Sequence, residues 1–210
     1  MIAIVDFGLG NLRSIEHKLR RLGYDARISA DERTLRGADA LILSGVGHFA
    51  RGMSNLERRG LIPVLHRLVR EESLPVFGIC LGMQMFTEYS EEGGVPGLGW
   101  IRGRTRRFRF DDRPDVLPVP HMGWNTVTFR NDHPVFSRIM NRGEYYFIHS
   151  YHVECDDAGD VRADTRYGYH FPSIIGRGNI LGTQFHPEKS HRKGLELLAA
   201  FLNARGGTAC

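Results

Sequence analysis

Cysteine is scarce in this chain: Cys80, Cys155 and Cys210 are the three among 210 residues, and no two form a CxxC pair. That excludes a disulfide framework, fits a reducing compartment, and leaves an internal thiol free to act as a nucleophile. A long apolar run is also missing, since no stretch approaches the ~20 residues that a membrane-spanning helix needs. The opening MIAIVDFGLG has neither a basic segment nor an extended apolar one, so no signal peptide is expected and the location is expected to be cytoplasmic. Internal repeats, low-complexity tracts and linkers are absent as well. One domain over residues 1–210 is the expectation, long enough to bury a substantial core.

Charge of one sign does not dominate. The net charge is +4 and the isoelectric point is near 9.1, with much of the local density in Arg102, Arg104, Arg106, Arg107 and Arg109. These arginines alternate with Gly103, Thr105 and Phe108, as on the solvated face of a strand, so nucleic acid is not the favoured partner. An acidic partner surface is the other reading.

What is present is an alternation of apolar runs and amphipathic stretches. Strands are expected at Ile2–Asp6, Ala26–Ser29, Asp39–Ser44 and Pro75–Ile79. Between them, Asn11 opens a helix with Leu12, Ile15, Leu19 and Leu22 on one face and Gly23 at its end. Further helices are expected around His48–Glu57, Leu61–Arg70 and Leu81–Tyr89. This alternation implies an α/β fold with a mostly parallel sheet between helices. After Gly93 the chain turns β-rich, with runs at Val116–Val119, Thr126–Phe129, Tyr145–Ile148, Tyr151–Glu154 and Ile180–Phe185. A final helix is expected at Gly194–Asn203. Antiparallel strands added to the parallel sheet are the expected outcome.

Gly78-Ile79-Cys80-Leu81-Gly82 follows a strand and precedes a helix, the pattern of a nucleophile elbow. The turn holds the nucleophile in a strained conformation, and a helix N-terminus behind Cys80 would favour its thiolate. A buried cysteine in an ordinary βα turn is the plainer alternative. Gln184-Phe185-His186-Pro187-Glu188 offers the remaining parts: a base for the thiol, and two positions on a carboxylate that can orient it. Ser44-Gly45-Val46-Gly47 imitates a dinucleotide loop. Glu71 and Glu72 precede the next strand rather than ending it, so the glycines are better read as amides offered to an oxyanion. His149 and His152 have a loose metal-like spacing that no cysteine or carboxylate set completes, so no metal and no cofactor are expected. Tyr145-Tyr146-Phe147 reads mostly as sheet core. Pro120-His121-Met122-Gly123-Trp124-Asn125 carries residues suited either to an interface or to a buried turn.

With these motifs in view, the chain resembles the class I (triad) glutamine amidotransferases, and among them the glutaminase subunits of imidazole glycerol phosphate synthase. The resemblance is carried by GNLRS (10–14), GVG (45–47), GICLGMQ (78–84), PHMGWN (120–125), YYFIHSY (145–151) and QFHPEKS (184–190). It implies a flavodoxin-like fold and hydrolysis of L-glutamine to glutamate and ammonia. It makes Cys80 the nucleophile, His186 the base and Glu188 its orienting carboxylate. Gly47 and the Leu81 amide would line the oxyanion hole, and Gln84, Ser150 and Tyr151 would contact glutamine. Asn11, Trp124, Tyr146 and Lys189 would face a (β/α)8-barrel cyclase that receives the ammonia. One departure is Ser44, where the family usually has a proline ahead of the GVG loop.

The nearest rival keeps the chemistry and changes the acceptor to a sugar amidotransferase of bacterial surface polysaccharides. NLERRG (55–60), RRFRF (106–110) and HSYHVECDD (149–157) lean that way. A catalytically silent scaffold is opposed by the intact Cys80, His186 and Glu188. HPEKS and PHMGWN oppose a cysteine peptidase or γ-glutamyl hydrolase.

Overall fold

The computed structural model describes residues 1–110, 117–130, 134–136 and 142–204. Its first half is built from strand–helix units. β1 (Ile2–Val5), β2 (Ala26–Ser29), β3 (Ala40–Gly45) and β4 (Val76–Cys80) are short and rich in Val, Ile and Leu. β1, β3 and β4 are buried along their whole length because helices cover both faces. α1 (Leu12–Arg21) starts where Asn11 accepts a hydrogen bond from the Ser14 amide, and it buries Leu12, Ile15 and Leu19. Gly23, at φ +87°, ends it as expected. The short α2 (Glu32–Arg36), capped by Asp31, was not evident in the periodicity. α3 (Phe49–Arg58) and α4 (Leu61–His66) follow, and α4 runs on into one wider turn at Arg67–Glu71.

The expected helix Leu81–Tyr89 is cut to one turn, α5 (Leu81–Gln84). Thr87 Oγ1 donates to the Gln84 carbonyl at 2.8 Å, and the chain turns into β5 (Tyr89–Ser90). β5 joins β6 (Val95–Pro96), β7 (Gly103–Arg107) and, further on, β10 (Tyr151–Cys155) in a small second sheet of order β10-β7-β5-β6. The arginine-rich segment is indeed a strand with an exposed face. Three of its charges are matched within the protein: Arg104 and Arg106 pair with Glu154, and Arg109 with Glu91.

The remaining strands are β8 (His121–Phe129), β9 (Arg142–His149), β11 (Val161–Tyr167), β12 (Tyr169–Arg177) and β13 (Ile180–Thr183), and α6 (His191–Asn203) ends the chain's secondary structure. The main sheet has the order β2-β1-β3-β4-β13-β12-β11-β8-β9. Its first five strands are mutually parallel, and the pairs from β13 to β9 are antiparallel. Tyr145 and Phe147 are core residues, while Tyr146 is half-buried. β11 and β12 were not expected as strands. In the expected strand Val116–Val119, position 116 lies outside the described residues and Leu117–Val119 form no strand.

β13 is the structural key to the site. It lies between β4 and β12 and runs parallel to β4, with Thr183 opposite Ile79. The ends of β4 and β13 therefore emerge side by side, about 4.8 Å apart, at the carboxyl edge of the sheet where ligands of open α/β folds bind.

Candidate active site

Cys80 ends β4 at φ +52° and ψ −108°, a conformation that non-glycine residues rarely hold. Its neighbours explain why the elbow is glycine-rich. A Cβ on Gly78 would come within 2.6 Å of the Phe86 ring, and one on Gly82 within 1.7 Å of the Leu43 carbonyl oxygen. α5 therefore packs directly on β3. With only one turn of helix behind it, Cys80 gains little from a helix dipole, which corrects the expectation from sequence. The charge that can hold a thiolate comes instead from His186.

His186 follows β13 and is buried to 1% exposure. Its Nδ1 donates to Glu188 Oε1 at 2.8 Å. Pro187 and the tight turn Pro187–Lys189 let side chains two apart meet. Burial opposes a charge on the ring, but the Cys80 sulfur and the Glu188 carboxylate outweigh it and raise the imidazole well above its ordinary value. Nε2 of His186 is buried with no hydrogen-bond partner among the described residues. This arrangement can hold an imidazolium–thiolate pair and move a proton between sulfur and a departing group.

Cys80 opens onto a cavity of about 230 Å³, lined also by Gly47, Leu81, Gln84, Ser150 and Tyr151. The residues expected at the oxyanion hole and the glutamine site thus line one cavity with the thiol. Gly47 is at φ +133°, which suits glycine, and it lines the cavity. Ser150 and Tyr151 sit where β9 passes into β10, and the Ile148 carbonyl lies 3.9 Å from Cys80 Sγ.

Two residues at this site carried no role in the sequence reading. Gln184, fully buried, directs Nε2 at Cys80 Sγ over 3.7 Å and accepts from Gln84 Nε2 at 3.1 Å. Glu92 lines the cavity and accepts from the Phe49 amide through Oε2 at 2.8 Å, which brings a carboxylate to the mouth. The sequence signal for Gln184 is its place beside Phe185 and His186. Glu92 has none, because the fold alone brings it there.

Trp124 and Tyr146 are cross-strand partners on β8 and β9. Trp124 is 47% exposed and stacks on His191 at 4.9 Å, while Lys189 Nζ lies 5.8 Å from the Tyr146 ring centre. These residues form one patch with the exposed Met122. Asn11 heads α1, which packs on the Pro187–Lys189 turn. Of the other cysteines, Cys155 has its thiol pushed up to about 12 by burial and by Asp160, and Cys210 lies outside the described residues. No cluster of three metal-binding side chains occurs among the described residues, and no described helix is long and apolar enough to cross a membrane.

A cysteine elbow on a parallel sheet, with histidine and glutamate just after the adjacent strand, agrees with the comparison to known families. The chain belongs to the class-I glutamine amidotransferase family, whose model matches residues 3–204. Its relatives narrow the family to that of the HisH subunit of imidazole glycerol phosphate synthase. The HisH subunit of Symbiobacterium thermophilum is 48% identical over 94% of this chain and 91% of its own. The subunit named HisH 2 of Methanococcus maripaludis is 42% identical over 96% of this chain and 98% of its own. Among solved structures, one described as a glutamine amidotransferase superposes with a TM-score of 0.76 at 22% identity, covering 98% of this chain and 99% of the other. That structure supports the fold alone.

Proposed function

We propose that this protein is the glutaminase subunit of a cytoplasmic imidazole glycerol phosphate synthase. It hydrolyses L-glutamine to glutamate and ammonia and passes the ammonia to a (β/α)8-barrel cyclase in histidine biosynthesis. The observation that carries the reading is Cys80 at φ +52°, coupled to a buried His186 that donates to Glu188 at 2.8 Å.

The Cys80 thiolate attacks the side-chain carboxamide carbon of glutamine, forming a C–S bond and a tetrahedral oxyanion. The amides of Gly47 and Leu81 stabilise that charge. His186 gives its proton to the nitrogen, ammonia leaves, and a γ-glutamyl thioester remains. His186 then takes a proton from water, whose oxygen attacks the thioester, and collapse releases glutamate and returns the thiolate. Glu188 holds the ring with Nε2 toward the reacting atoms. Both hydrogens of the Gln84 amide are engaged, by the Tyr151 carbonyl at 2.9 Å and by Gln184 at 3.1 Å. That leaves Gln84 Oε1 to accept from the substrate, and Glu92 meets its α-ammonium. The patch of Asn11, Trp124, Tyr146 and Lys189 is the docking face for the cyclase.

The test is glutamate release with and without the cyclase of the same organism and its ribonucleotide substrate. Strong stimulation by the loaded partner is expected. Activity that stays indifferent to the cyclase would overturn the histidine-pathway assignment and direct the search to a sugar amidotransferase.

Glu188→Gln is expected to lower kcat by roughly 10²–10⁴-fold, less than loss of the nucleophile, because an orienting group contributes less than the attacking atom. The carboxylate also helps to raise the His186 imidazole. The proton needed by departing ammonia is lost as pH rises through that raised value. Without the carboxylate, the alkaline limb of kcat/KM is therefore expected to move to lower pH. A limb that stays in place in the folded variant would deny Glu188 this role.

A further inference from the structure

The buried histidines of β8 and β9 take no part in the chemistry above, yet each of their hydrogen bonds can be given a direction. His149 Nδ1 lies 2.7 Å from the Tyr151 carbonyl oxygen, which can only accept, so this nitrogen carries the proton. A neutral His149 then accepts at Nε2, and the atom 2.9 Å away, His121 Nδ1, must donate. His121 accepts at Nε2 from Asn125 Nδ2 at 3.1 Å, and the same amide donates to the Arg166 carbonyl at 3.0 Å. The Thr126 amide, donating to Asn125 Oδ1 at 2.7 Å, fixes which way that side chain faces. Burial favours the neutral rings, pushing His121 down to about 4 and His149 well below its ordinary value. Read this way, the bonds run from Asn125 to His121 to His149 to Tyr151.

The end of this relay lies in the glutamine pocket. The Tyr151 carbonyl also accepts from Gln84, Gln84 donates to Gln184, and Gln184 points at Cys80 Sγ. A continuous network therefore reaches from β8, whose Met122 and Trp124 are exposed, to the nucleophile, with donors from His149 and from Gln84 meeting at the Tyr151 carbonyl. Both nitrogens of His121 and of His149 are occupied by protein atoms, which leaves no lone pair for a metal and no proton to exchange with substrate.

Resting on the glutaminase reading, we propose that His149, held in one tautomer by His121 and Asn125, is a positioning residue for the glutamine pocket. It clamps the Tyr151 carbonyl, so that Gln84, Ser150 and Tyr151 present a fixed surface to the bound amino acid. It acts on binding, not on the bond-breaking step. Because Asn125 and His121 share β8 with Trp124, the clamp also connects the docking face to the pocket floor.

The test compares His149→Asn with His149→Gln in the complex with the cyclase. The asparagine amide reproduces the donor at the Nδ1 position, whereas the glutamine amide reproduces only the Nε2 end and cannot reach Tyr151. Losing one such hydrogen bond is expected to raise KM for glutamine roughly tenfold in the Gln variant, with kcat changed much less. The Asn variant is expected to recover most of that loss. Alkylation of Cys80 by iodoacetamide, which needs no amino-acid pocket, is expected to proceed at the wild-type rate in both. A chloroketone analogue of glutamine is expected to need roughly tenfold more reagent for half-saturation in the Gln variant. Asn125→Ala, which frees the His121 ring, is expected to raise KM in the same direction and serves if a His149 variant does not fold. Unchanged KM, equal behaviour of Asn and Gln, or a joint fall of kcat and alkylation rate would overturn the clamp. A wild-type complex that releases no glutamate would instead overturn the glutaminase reading itself.

Discussion

Cys80→Ala is expected to abolish glutamine-dependent synthesis by the assembled complex while leaving ammonia-dependent synthesis intact. The thioester is the only covalent path in the proposed mechanism, and loss of a nucleophile of this kind costs on the order of 10⁶-fold in turnover. Nothing in the fold depends on the sulfur. Cys80 is 6% exposed, its contacts to the Ile148 carbonyl and Gln184 are long, and alanine meets the same backbone strain as cysteine at φ +52°. Free ammonia bypasses the thiol and reaches the partner's acceptor directly. The measurement is product formation from glutamine and from ammonium chloride, side by side, with the variant's melting temperature as a control. Glutamine-supported synthesis that survives the change would remove Cys80 from the mechanism.

Gly82→Ala is expected to be the most destabilising single-methyl change at the elbow. The new Cβ would stand 1.7 Å from the Leu43 oxygen and 2.6 Å from its carbon. Both are backbone atoms of β3, an interior strand of the main sheet, so no rotamer change relieves the overlap. Either α5 lifts off β3 or β3 shifts against β4, and both movements displace Cys80. A cost of about 4 kcal/mol follows from overpacking at a site that cannot relax. For a chain of this size that is about 8–16 °C in Tm. Gly178→Ala is the control: unlike the helical Gly82 it is at positive φ, +57°, but a Cβ there meets nothing within 4 Å. Its expected cost is about 1–2 kcal/mol from backbone strain alone. A loss at 82 no larger than the loss at 178 would show that β3 yields to the methyl and that the approach of α5 does not demand glycine there.

The parallel half of the sheet was legible in the sequence because β1, β3 and β4 are apolar throughout and α1 carries both a cap and a stripe. The added half was harder. β11 alternates buried Val161, Ala163 and Thr165 with Arg162, Asp164 and Arg166, a true two-residue period written in weakly apolar residues. β12 was hidden by Pro172, which argues against an interior strand. The sheet tolerates it beside register shifts in β11, at Val161/Ala163 and Ala163/Asp164. The elbow helix was overestimated because Met85 and Phe86 continue an apolar run whose burial comes from turns and the second sheet, not from helix. At the site, residues in contiguous motifs could be found by reading along the chain. Glu92 and the His121–His149 relay could not, since pairing between distant strands creates their neighbourhood.

β13 has a consequence for how the protein comes into being. The two halves of the site sit on adjacent strands, yet Gln184 and Cys80 are 104 positions apart in the chain. A ribosome delivers the thiol long before it delivers the imidazole, and β13 must then slot between β4 and β12, both already synthesised. Parallel pairing across such a distance forms late, after the loop-closure entropy has been met. In the proposed mechanism, a nascent chain therefore holds its nucleophile without its base until β13 has paired. Glutamine hydrolysis on this reading reports that β13 has taken its place between β4 and β12.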